Sequence, residues 1–109
     1  MIQHIVLIQF KPSLSSAMIA DIFSELHKIE GQIEGLVSIQ SGRSESPEHM
    51  ERGYLHGFIA SFSDWDALAR YQNHPDHQKL GARLVENAEN GRDGILVFDL
   101  PVAMLSAKE

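Results

Sequence analysis

Cysteine is absent from this 109-residue chain. That excludes a disulfide framework, thiolate metal sites and a thiol nucleophile together. Basic clusters are missing too: Lys108 and Arg83 stand isolated, and the formal net charge is −6. Nucleic-acid binding, which rests on phosphate neutralisation, therefore has no footprint here. The apolar opening, Met1 to Phe10, has no basic leader region and is too short to cross a bilayer. A soluble protein of the cytoplasm, without a membrane partner, is the expectation. Internal repeats, low-complexity segments and linkers are also lacking.

What remains is the composition of one globular domain, with 43% hydrophobic and 22% charged residues. A length of 109 residues supports one core and not two. The domain is expected over 1–102, with a short polar tail at 103–109. The six histidines of so short a chain offer pH dependence or catalysis.

The periodicities fall into a definite order. Ile2 to Phe10 reads as a strand with His4, Val6, Ile8 and Phe10 on one face and Ile5 and Leu7 on the other. Ser13 or Ser15 can cap a helix to about Glu30, its stripe formed by Met18, Ile19, Ile22, Phe23, Leu26 and Ile29. Leu36 to Arg43 alternates as a second strand, and Ser44 to Gly53 is a polar loop. In the third strand, Tyr54 to Phe62, residues Tyr54, His56, Phe58, Ala60 and Phe62 share a face. Ser63-Asp64-Trp65-Asp66 opens a helix through Asn73, with Trp65 as its expected anchor on the sheet. Pro75 restarts the helix after a kink, Asn90 to Gly94 is a turn, and Ile95 to Leu100 is the last strand.

The resulting β-α-β-β-α-α-β order predicts an α+β, ferredoxin-like fold: a four-stranded antiparallel sheet with its helices on one face. The strands are apolar on both faces, so the second face needs a cover. A second copy of the chain, packed sheet to sheet, is the simplest one.

The kink itself, Tyr71-Gln72-Asn73-His74-Pro75-Asp76-His77, gathers a phenol and two imidazoles. His77 falls in the first turn of a helix, where the dipole disfavours a protonated ring. A neutral histidine beside a tyrosine hydroxyl is usable acid–base equipment. The plainer alternative is a tyrosine packed at a helix end and a histidine hydrogen-bonded across the break. His74 suits a cap. Zinc on His74, Asp76 and His77 is disfavoured by the helix break between them and the lack of a third ligand at firm spacing. His27 and His49 are expected at the surface. Asp99, near the end of the last strand, is assigned no chemistry.

Across nearly its whole length the chain resembles the stress-responsive α/β-barrel family. The likeness rests on His4, Phe10-Lys11, Gly42, Gly53-Tyr54, His56, Phe62, Leu68, Tyr71, His74-Pro75-Asp76-His77 and Phe98-Asp99. The resemblance implies a homodimer whose sheets pack into a central barrel, the dimeric α/β barrel, with no cofactor. It does not imply one function. Some members are plant stress proteins; another is a plant polyketide cyclase that closes a ring by aldol condensation. By that likeness Tyr71 and His77 are the catalytic pair, and His4, His56, Phe23, Leu26, Phe58 and His74 are pocket positions. Leu26 replaces a tyrosine of the cyclase and Phe58 a smaller branched residue, which argues against the same substrate. Backbone carbonyls of Glu30, Ile33 and Leu36 correspond to a cation site of some members. Three functional readings follow: a small-molecule-binding or stress-associated protein, a cofactor-free cyclase or isomerase of a carbonyl compound, and, weakest, a monooxygenase of the wider barrel superfamily.

Overall fold

A computed structural model describes residues 1–103, so the expected tail lies outside the described residues except for Ala103. The chain runs β1 (Ile2–Ile8), α1 (Ser16–His27), β2 (Leu36–Arg43), β3 (His56–Phe62), α2 (Trp65–Asn73), α3 (Pro75–Asn87), a 3-10 turn (Gly91–Gly94) and β4 (Ile95–Pro101). The four strands form one antiparallel sheet in the order β2-β3-β1-β4. This is the ferredoxin-like arrangement expected from the periodicities. No helix among the described residues is long and apolar enough to cross a membrane.

The local causes are the anticipated ones. Ser15 caps α1 by accepting from the Met18 N–H, and Asp64 caps α2 by accepting from the Ala67 N–H at 2.8 Å. Pro75 begins α3, with His74 as its cap. One face of the sheet, carrying Val6, Ile8, Ala60 and Phe62, buries Ile22 and Leu26 of α1, Leu68 and Tyr71 of α2, and Leu80 and Leu84 of α3. Some details differ. Met18 is exposed, because the buried side of α1 is Ile22, Phe23 and Leu26, and the Arg83 guanidinium rests on its sulfur at 3.1 Å. Trp65 is also exposed: it starts α2, whose buried side is Ala67, Leu68 and Tyr71. Arg83, isolated in sequence, is not isolated in space, since Asp21 and Glu25 of α1 accept from it at 2.8 and 3.1 Å.

The opposite face of the sheet carries Ile5, Leu7, Ile59, Leu96, Phe98 and Leu100. Register fixes this set, since Ile5 lies between Ile59 and Phe98, and Leu7 faces Leu96. No element among the described residues covers it, and Phe98 is 54% exposed.

Where β1 leaves the sheet, Gln9 donates to the Gly94 carbonyl at 2.8 Å and accepts from the Glu89 N–H at 2.7 Å. A Cβ on Gly94 would stand 2.2 Å from the Glu89 carbonyl oxygen, so only glycine fits. Gly81, on α3, has no atom within 4 Å of an added Cβ. Gly94→Ala is expected to destabilise the fold by about 2–4 kcal/mol, because the backbone must shift to admit the methyl. Gly81→Ala is expected to stabilise it by roughly 0.5–1 kcal/mol through helix propensity. Chemical denaturation of the two variants checks both signs.

Candidate functional site

Tyr71 is the last buried residue of α2, and its ring is wholly enclosed. It packs at 5.1 Å between centroids on Phe62, at 5.8 Å edge-on to His4, and at 4.1 Å on His77. Its hydroxyl has no hydrogen-bond partner among the described residues although it is buried. Burial pushes its pKa above the ordinary phenol value, so it remains a proton donor. A buried hydroxyl without a partner costs about 1–3 kcal/mol.

His77 reaches this place because Pro75 sets α3 off directly after the kink. The Gln72 carbonyl lies 3.4 Å from its Nδ1. A carbonyl only accepts, so this contact favours the proton on Nδ1 and leaves Nε2 as the basic atom. Burial lowers the pKa of His77, with the Gln72 carbonyl opposing and His4 and His74 adding to the decrease. The ring is therefore neutral near pH 7, as its place in a first helical turn suggested.

His4, at the middle of β1, is 5% exposed. Its Nδ1 lies 2.5 Å from Asp99 Oδ1. The carboxylate accepts, so His4 donates from Nδ1 and is held in one orientation. Asp99 arrives there by register, since β4 runs beside β1 with Asp99 opposite His4. It is the site residue to which sequence reasoning assigned no chemistry. Its signal was the shared strand face with Val97, which becomes informative only once β1 and β4 are known to pair.

Beside this cluster a cleft of about 360 Å³ opens between α3 and the helix-covered face of the sheet. His4, Val6, Phe58 and Val97 line it from the sheet, His77, Gly81 and Val85 from α3, and Gln72 and Arg92 from beyond that helix. Its size lies in the small-molecule range. Phe58 forms part of the wall and does not fill the space. Tyr71 stays behind His77, outside the lining.

The other expected pocket positions go elsewhere. Leu26 and Phe23 belong to the core, and neither lines the cleft. His56 packs on Phe10 and Phe23 at 5.4 and 6.3 Å, apart from His4 and His77. Burial, with Arg43 adding to the effect, lowers the pKa of His56. His74 is occupied as a cap, accepting from the Asp76 N–H at 3.2 Å. His27 is half-buried, bridging Glu30 and Ser41 at 2.7 and 2.8 Å. Among the described residues no three His, Asp or Glu side chains converge as a metal site. The wall from Gly81 to Arg92 is absent from the sequence-based pocket; the spacing His77, Gly81, Val85 along one helical face was its available signal.

Comparison with known proteins follows the same outline. The stress-responsive A/B barrel domain family matches residues 2–102. The stress-response A/B barrel domain-containing protein HS1 of Arabidopsis thaliana is 26% identical over 98 residues, spanning 90% of this chain and 86% of that one. A dimeric ferredoxin-like protein from Jannaschia sp. CCS1 superposes with a TM-score of 0.84 at 34% identity, over 93% of this chain and 98% of the other. Hydroxynitrile lyase from Passiflora edulis shares the fold, with a TM-score of 0.82 at 17% identity over 96% and 95% of the two chains.

The lowered pKa values of His77 and His56 carry a sign for stability. In the unfolded chain an imidazole titrates near about pH 6.5. Below that pH the unfolded state binds more protons, so stability present above it is lost as the pH falls toward the folded-state values. The denaturant midpoint is expected to drop from about pH 7.5 to about pH 5.5, with a shallower drop in His77→Gln. Equal slopes in the two proteins would show that the His77 ring is not held neutral by the fold.

Proposed function

The chain belongs to the stress-responsive A/B barrel domain family, and from that premise we propose that it works as a homodimer holding a small molecule in the His4–His77 cleft. The observation that carries this reading is the cleft itself: a largely apolar space lined by neutral His77 of α3 and the anchored His4 of β1. The dimer is supported by the uncovered sheet face and by relatives described as dimeric. Burying side chains such as Phe98 contributes about 1.5–3 kcal/mol each, enough in combination to hold two copies together.

A second reading, a cofactor-free cyclase or isomerase of a carbonyl compound, is favoured by the unpartnered Tyr71 hydroxyl behind His77. In it, His77 Nε2 removes a proton from the carbon beside a carbonyl, and the C–H electron pair moves to the oxygen as an enolate. The Tyr71 hydroxyl, which lies behind His77 and outside the lining, would donate to that oxygen once the His77 ring swings aside. In a cyclase the enolate carbon attacks a second carbonyl, whose oxygen takes the proton back from His77. In an isomerase the proton returns to a different carbon. His4, oriented by Asp99, keeps the polar end of the ligand beside His77. This assigns the hydroxyl a use that packing alone does not.

Sedimentation at micromolar concentration is expected to give a dimer, and Phe98→Asp to weaken it at least about tenfold. A clean monomer in the unaltered chain would overturn the assembly. For the second reading, the probe is 4-phenyl-2-butanone in heavy water, followed by NMR for exchange of the protons beside its carbonyl. Acceleration by the unaltered protein, reduced roughly 100-fold or more in His77→Ala, is the expected result. Tyr71→Phe is expected to slow exchange while leaving the fold as stable or about 1 kcal/mol more so, because it removes an unsatisfied hydroxyl. Binding without exchange in every variant would leave only the ligand-holding role.

A further inference from the structure

We propose that the ligand of this cleft is an anion, a carboxylate on an apolar body, and that Arg92 receives its charge. The inference rests on the cleft being the ligand site and adds the chemical class of what enters it.

The path from His77 to Arg92 is laid out by α3. His77, Gly81 and Val85 follow one another at four-residue spacing on one helical face, covering about 12 Å at 1.5 Å per residue. Gly81 keeps the middle of that path open, since nothing stands within 4 Å of where its side chain would begin. At the far end a Cβ on Gly91 would lie 3.9 Å from the Val85 methyl, which places the 3-10 turn carrying Arg92 beside Val85. That turn is tied down: the Tyr54 hydroxyl donates to the Asp93 carbonyl at 3.1 Å, and the Gln9 N–H donates to the Gly94 carbonyl at 2.8 Å.

Arg92 lies where the inner cleft meets a shallower depression of about 620 Å³ along the exposed side of α3. Both spaces are lined by Gln72, His77, Gly81, Val85 and Arg92. Among the described residues its guanidinium makes no ion pair, whereas Arg83 is shared by two carboxylates and Arg70 donates to the Glu34 carbonyl. Glu89 and Asp93 flank it in the chain and line neither space. Glu86 lines the outer depression and not the inner cleft; Asp99 is committed to His4 and lines neither. The inner cleft thus has one uncompensated cation at its mouth, apolar walls of Val6, Phe58, Leu84 and Val97, and imidazoles opposite. A guanidinium fork grips a carboxylate through two parallel hydrogen bonds, even at an exposed position such as that of Arg92. An acid on an apolar body matches the guanidinium and the apolar walls; a neutral body of the same shape leaves Arg92 unanswered.

The test uses 4-phenylbutanoate and 4-phenylbutanamide, which share a body and differ in charge. Titrations are followed by amide shifts of Gly81 and Val97. The unaltered protein is expected to bind the acid at least about tenfold more tightly than the amide, with the preference shrinking as salt is raised. Arg92→Gln is expected to abolish the preference by weakening acid binding at least about tenfold, and Arg92→Lys to restore part of it. Equal affinity for the two compounds in the unaltered protein, or a preference that survives in Arg92→Gln, overturns the proposal and leaves the cleft as a site for neutral ligands. Absence of shifts with either compound overturns it together with the ligand-holding reading.

Discussion

The burial of one ring, that of Tyr71, is the contact on which the arrangement of the site depends. Standing at the end of α2, it lies against Phe62 and His4 on the sheet and under His77 on α3. It therefore fixes where α2 stops, and with Pro75 beginning the next helix, where α3 starts. Burying an aromatic ring beside other rings stabilises the fold by more than its unsatisfied hydroxyl costs. Phenylalanine would supply the same packing without that cost. The hydroxyl is thus the part of the residue that packing leaves without a reason, in the one place where two imidazoles are near it.

A second constraint couples the cleft to the uncovered sheet face. Both are built on β4, and strand alternation divides its residues between them. Val97 turns toward the cleft and Asp99 toward His4, while Leu96, Phe98 and Leu100 turn the other way. A slip of one residue in the β1–β4 register would move the carboxylate away from His4 and place Phe98 over the cleft. The helices cover β1 and β3 more fully than β4, so the cleft opens where their cover ends, and Val97 is 54% exposed there. One fold supports unrelated chemistries, so the groups gathered at the cleft, and not the topology, distinguish this chain from others of its fold.

Much of this architecture is legible in the chain. The two-residue alternation of β1 and β3, the stripe of α1 and the His74-Pro75 break each rest on local backbone and side-chain geometry. Misreadings occurred where local pattern meets a boundary. Met18 and Trp65 continue the pattern or size of core residues but sit in the first turns of their helices, beyond the reach of the sheet. Family likeness puts Leu26 and Phe23 in the pocket, yet the packing of α1 sets them inside the core. His4 and His77 are brought together at one cleft, and His56 is not.

By itself the sequence determined which segments are strands or helices, which residues share a face, and that a neutral histidine follows a proline kink. Those properties depend on neighbours within a turn or two. The tertiary structure alone decided that Asp99 meets His4, that the buried Tyr71 hydroxyl finds no hydrogen-bond partner among the described residues, and that Arg92 lines the His77 cleft. The His4–Asp99 contact joins residues 95 apart in the chain. It exists because β1 happens to pair with β4 in one register, a long-range choice set by the burial of whole faces and written in no local pattern.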